Sequence, residues 1–241
     1  MNNRHFLTRK NLRDLILVLS FGSAVFFDIN DAAKCIAFGM LGTGCFIHYV
    51  SKGILIRNVV LCTEGIYCVV RHPYYLANFL IDWSFCLLSG NLFLLLSYPF
   101  LFYLVYGATI RSEEELLFAQ HGNIFIKSIL MTPQIFPDIN SSRNIKKLFE
   151  GFSADRVTGK EYFRITKFIA IGISLGFIHI TAGNIILKLN RIRFSPIQGF
   201  DEFLLILLVL LLIVFYIAGS IVVRISDQNR DVNQETHPSI D

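Results

Sequence analysis

Two short stretches of this chain carry side chains suited to chemistry. The first is GIYCVVRHPYYLANFLIDW, Gly65 to Trp83. In it an arginine, a histidine, a proline, three tyrosines and an aspartate enter a strongly apolar segment. Polar groups cost free energy at the edge of a membrane and more inside it, so their presence asks for a use. Pro73 suits the first turn of a helix, where its missing N–H is no loss. Arg71 and His72 then stand just before that helix, near its positive end, a fair place for an anion. Along the helix Tyr75, Asn78 and Asp82 share one face. Such a stripe faces a bundle interior or a wet cavity. Tying neighbouring helices by hydrogen bonds is an equally good use of Asn78 and Asp82.

The second stretch is RSEEELLFAQHGNIF, Arg111 to Phe125. Glu113, Glu114 and Glu115 open it directly after an apolar run, and Arg111 is spaced to pair with Glu115. Three acids in a first turn are often only a solvated start favoured by the helix dipole. Here they close a helical hairpin that begins at the basic, aromatic cluster, so the two clusters should be near neighbours.

The elements that position these clusters read as membrane helices. Of 241 residues 54% are hydrophobic and only 17% charged, and the mean hydropathy is +0.55. That composition excludes an ordinary soluble domain, and a net charge of +4 gives no support for nucleic-acid binding. The five cysteines show no CxxC and no metal-ligand spacing, so they read as small hydrophobes, with no metal expected. GMLGTG, Gly39 to Gly44, lies inside an apolar run and reads as a close helix contact rather than a phosphate loop.

A span needs roughly 20 mostly apolar residues. Leu12–Phe27, Ala32–Val50, Tyr74–Leu88, Leu92–Ile110, Phe168–Leu187 and Phe203–Val223 qualify, giving an all-α, polytopic bundle of about six transmembrane helices with a cytosolic cleft. Arg4, Arg9, Lys10 and Arg13 mark the start of an apolar run that reads as a retained first helix, since no small-residue cleavage site follows it. Lys and Arg cluster in the segments that this topology puts inside, so both termini are expected in the cytosol of a multi-pass membrane protein. The expected organisation is a core over 1–137, a basic cytosolic linker over 138–167, two further spans over 168–225 and a disordered tail over 226–241.

GIYCVVRHPYYLA resembles the G-x-Y-x-x-x-R-H-P-x-Y signature of the isoprenylcysteine carboxyl methyltransferase family, itself similar to phospholipid N-methyltransferases. The second stretch is similar to that family's E-E-x-x-L-x-x-x-F-G-x-x-Y-x-x-Y motif, with Glu113, Glu114, Leu117 and Gly122 in place, then TPQIFP as the exit. His121 stands where an aromatic is usual, Phe125 where tyrosine is, and Ser128 where a second tyrosine is. The resemblance covers about 51–137.

It implies S-adenosylmethionine as methyl donor and a lipid or lipid-like acceptor reached from the bilayer. By that analogy His72, Pro73, Tyr75 and Glu113 would bind the cofactor, with either glutamate suited to its amine. Arg71 and Glu114 would carry the catalytic work, Arg71 holding an acidic acceptor group. An acidic acceptor needs no general base, whereas an amine must lose a proton, with Glu114 or Asp82 assisting. Two other classes fit the same bundle: a membrane reductase binding a dinucleotide, and an inactive scaffold. The last two spans also offer a surface for a homodimer.

Overall fold

The computed structural model describes residues 9–55, 61–138 and 141–189; the side chains of 142, 143, 145 and 180–189 are left aside. Among the described residues every regular element is helical. The order is α1 Arg9–Phe26, α2 Asp31–Ile54, a 3-10 turn Gly65–Cys68, α3 Pro73–Leu88, α4 Leu92–His121, α5 Asn123–Met131, 3-10 segments Ser141–Lys147 and Ala154–Arg156, and α6 Gly159–Leu189. Residues up to Gly183 form one compact unit. Of a second unit, Asn184–Asp241, only the end of α6 is described. The expected span Phe203–Val223 and the tail fall outside the described residues, as does most of the surface suggested for self-association.

Local chemistry sets the helix ends. The Asn30 side chain accepts from Ala33 N at 2.8 Å and starts α2. Asn91 does the same for α4, accepting from Phe93 N and Leu94 N. Such caps satisfy backbone donors that have no partner within the helix. Gly90 takes φ +68 in the turn from α3 to α4. A Cβ there would stand 3.0 Å from Phe27 Cβ and 3.1 Å from the Phe27 and Asp28 carbonyl oxygens.

The sequence break expected near Ile110 is absent. Residues 111–121 are mostly good helix formers, so α4 runs on to His121 without interruption. It ends at Gly122, whose φ of +50 turns the chain into α5. Pro99 lies inside α4 without ending it. Among the described residues two helices, α2 and α4, are long and apolar enough to cross a membrane. Along α4, Phe93, Leu96, Phe100, Tyr103 and Leu104 are exposed, a face suited to hydrocarbon.

Helix α3 is the centre. Twelve of its sixteen residues are buried, and it packs against α1, α2 and α4. Tyr75, Phe79, Tyr98, Phe102 and Tyr106 form its aromatic contact with α4, joined by Leu12 and Ile16 from α1. The Phe102 and Tyr106 rings stack at 4.4 Å. At Gly44 a Cβ would come within 2.7 Å of Ile81 Cγ1 and 3.1 Å of Ala77 O. This is where α2 and α3 approach most demandingly, and the glycine-rich run earns its close-packing reading there. At Gly39 and Gly42 a Cβ would meet nothing within 4 Å. Gly44→Val is therefore expected to lose about 1–3 kcal/mol by overpacking, while Gly42→Ala is near neutral, as thermal unfolding in detergent would show.

The basic segment expected as a linker folds onto the core. Phe152 fills the space that Gly53 leaves by lacking a Cβ. Ser153 N donates to Gly53 O at 3.0 Å. Arg156 Nη1 donates to Gly151 O at 3.0 Å and to Gly53 O and Ile54 O at 3.4 Å, a cation at the negative end of α2. Helix α6 starts at Gly159 rather than near Phe168, and its first turn carries a buried acid, Glu161. Of the five cysteines only Cys45 and Cys86 are buried; Cys35 is exposed.

Candidate functional site

The first motif opens on Gly65, at φ +59. A Cβ there would lie 2.6 Å from Glu150 O and 2.4 Å from Ile54 Cδ1, so both backbone conformation and space require glycine. Tyr67 OH donates to Ser51 O at 3.3 Å and ties the 3-10 turn to α2. The turn closes with Val70 N donating to Ile66 O at 3.2 Å, and the chain leads on to Arg71 and His72. Arg71 N donates to Pro133 O at 2.9 Å and His72 N to Gln134 O at 3.0 Å. Pro73 takes the first position of α3 and keeps His72 out of the helix, at φ −122 and ψ 63.

Each of the two acids meets a different set of partners, because neighbouring residues on a helix point about 100° apart. Glu114 Oε1 accepts from Arg71 Nε at 3.1 Å, lies 3.0 Å from Arg71 Nη2, and lies 3.1 Å from His72 Nε2. Its Oε2 accepts from Gln134 Nε2 at 2.9 Å. Arg71 Nη1 donates to Ile129 O at 3.1 Å and Thr132 O at 3.0 Å. Glu113 Oε1 instead accepts from Tyr75 OH at 2.5 Å. Tyr75 OH in turn accepts from Arg9 Nη1 at 2.8 Å, and Arg9 stands 3.9 Å from Glu113.

Between these groups lies a cavity of about 480 Å³, within the size range of small-molecule sites. Arg71, His72, Pro73, Tyr75 and Glu113 line it, five of the six site residues expected from sequence. Glu114 is not in its wall; it sits behind Arg71 and His72 and fixes both. His121, where the family motif has an aromatic, also lines the cavity, and Phe125 is buried. Arg111 and Glu115 are both exposed.

Asn78 and Asp82 have the helix-tying role. Arg13 of α1 donates through Nε to Asp82 Oδ1 at 2.7 Å, and through Nη2 to Asp82 Oδ2 at 3.1 Å and Asn78 Oδ1 at 3.0 Å. Tyr98 OH adds a bond to Asp82 at 3.3 Å. Three helices are thereby joined at one buried carboxylate.

Sequence reasoning missed four residues. From sequence Arg9 reads as a topology signal, and Gln134 as part of the TPQIFP exit. Lys52 also lines the cavity. Glu161 lay hidden inside the basic segment. Its Oε2 is 2.8 Å from His48 Nε2 and accepts from Arg164 Nη1 at 2.8 Å, and its Oε1 is 3.5 Å from Lys52. Burial alone would raise this carboxyl, but His48, Arg164 and Lys52 outweigh it and hold it down at about 2.

Among the described residues the protein is a helical bundle with two helices long and apolar enough to cross a membrane and a charged cavity walled in part by tyrosines. Residues 29–119 match the isoprenylcysteine carboxyl methyltransferase (ICMT) family, as the paired motifs led one to expect. The match takes in α2, α3 and nearly all of α4, the helices that carry the RHP cluster and both acids. Over that segment the chain is similar to a family of membrane methyltransferases. No curated protein and no solved structure matches the chain.

Proposed function

We propose that this chain is an integral-membrane methyltransferase that uses S-adenosylmethionine to methylate a lipid or lipid-like acceptor. The observation that carries the reading is the convergence of both family motifs on one cavity, with Tyr75–Glu113 and Arg71–His72 in its wall and Glu114 behind them. The donor set fits that cofactor. It has an acid for an amine, cations for a carboxylate, and tyrosine rings that attract a sulfonium. Bound there, the cofactor would supply a methyl group already activated for in-line displacement.

The protein's task is then to bind, align and exclude water. Glu113, held by Tyr75 and Arg9, presents a carboxylate to the cavity. Glu114 acts as a positioning residue that sets Arg71 and His72 through charge-assisted bonds. Asp82 is held by Arg13 and Tyr98 and is absent from the cavity wall, which favours an acidic acceptor over an amine that needs a buried base. A multi-pass arrangement with the cavity and both termini at the cytosolic face accords with the Lys and Arg pattern.

The test is binding of S-adenosylhomocysteine to the full chain purified in detergent. Saturable binding is expected, weakened about tenfold or more by His72→Ala. A folded wild type that does not bind would remove the methyltransferase reading.

A further inference from the structure

Lys52 lines the same cavity as Glu113, near the C-terminal end of α2. Its ammonium stands 4.2 Å from the centroid of the Tyr74 ring and 3.5 Å from Glu161 Oε1. Only 10% of its side chain is exposed. A lysine braced on two sides has lost much of its rotamer freedom before any ligand arrives, which favours binding. The brace is itself anchored, because Arg164 Nη1 bonds both Glu161 and the Tyr74 hydroxyl, at 2.8 and 3.3 Å.

The cation of the RHP motif is differently placed. Arg71 directs Nε and Nη2 to Glu114, and Nη1 to two backbone carbonyls. Its charge is committed to holding the motifs together. Lys52 and Glu113, in contrast, lean on successive residues at the start of α3, Lys52 on Tyr74 and Glu113 on Tyr75. The two tyrosine rings are 6.1 Å apart. A cation and a carboxylate held in the wall of one cavity, each against one of two adjacent tyrosines, complement a zwitterion, whose ammonium and carboxylate sit on one carbon.

We propose that Lys52 and Glu113 together hold the amino-acid end of the cofactor, with Lys52 taking its α-carboxylate and Glu161 of α6 acting as the positioning residue for Lys52. The inference rests on the methyltransferase reading above. It also brings into the site a residue from beyond the segment that matches the family.

The experiment compares two probes on the full chain in detergent: S-adenosylhomocysteine, and 5′-methylthioadenosine, which keeps the nucleoside and thioether but lacks the amino-acid group. Lys52→Met is expected to weaken S-adenosylhomocysteine about 10- to 100-fold and 5′-methylthioadenosine less than about twofold, with Lys52→Arg recovering most of the loss. Glu161→Gln should weaken S-adenosylhomocysteine about 3- to 10-fold alone and have no further effect in a Lys52→Met background, the mark of acting through Lys52. Unchanged S-adenosylhomocysteine affinity in Lys52→Met, or equal loss for both probes, would overturn the inference while leaving the methyltransferase reading in place. A wild type that binds neither probe would overturn both.

Discussion

Glu114→Gln is expected to lower methyl transfer at least about 100-fold, because small misplacements of aligned groups carry costs of that order. Glutamine keeps the size of the side chain and can still bond Gln134. It loses the charge that faces Arg71 Nε and Nη2 and His72 Nε2, all at 3.0–3.1 Å from one oxygen. One neutral amide oxygen would then have to serve Arg71, His72 and Gln134, which two carboxylate oxygens serve now. Single-turnover rates with labelled donor would read the loss. The accompanying weakening of S-adenosylhomocysteine should be much smaller than the loss of rate, since Glu114 does not line the cavity. A variant that transfers methyl groups within about threefold of wild type would mean that Glu114 positions nothing the reaction needs.

The second large effect concerns stability. Asp82→Ala leaves Arg13, whose side chain is only 20% exposed, without its carboxylate; the guanidinium keeps Asn78 Oδ1 and lies 4.9 Å from the Phe168 ring. Removing one partner of a buried pair costs about 3–5 kcal/mol, because the remaining charge is uncompensated. Thermal unfolding in detergent, followed by the fluorescence of the only tryptophan, Trp83, one residue from the change, should show a fall of several degrees. Arg13→Met together with Asp82→Leu should recover most of it, since neither charge is then stranded. If the single variant unfolds with wild type, the network is not what ties α1 to α3.

The sequence made the centre of this site readable because local rules govern it. Pro73 at the start of α3, the turn at Gly90 and the order of the two motifs each follow from residue types and spacing. Five of the six expected residues reach one cavity for that reason. The parts that could not be read depend on contacts between distant segments. Lys52 and Glu161 are more than a hundred residues apart, and nothing in either neighbourhood announces the other. Arg13 counts equally well as a topology signal and as the partner of a buried acid. The apolar run stops at Ile110, whereas α4 continues until Gly122 turns it. Hydropathy marks where a lipid-facing surface ends; hydrogen bonding marks where a helix ends.

The anchoring of Arg71 has an evolutionary consequence. Its Nη1 grips the carbonyls of Ile129 and Thr132, and its own N–H reaches the carbonyl of Pro133. All three acceptors are main-chain atoms, which every amino acid supplies. Side chains at these three positions can therefore drift without loosening the arginine, whereas one inserted or deleted residue between α5 and Gln134 would break the register between the Ile129 carbonyl and the two that follow. Among relatives that keep the RHP motif, the spacing of this connection should be held more tightly than its lettering.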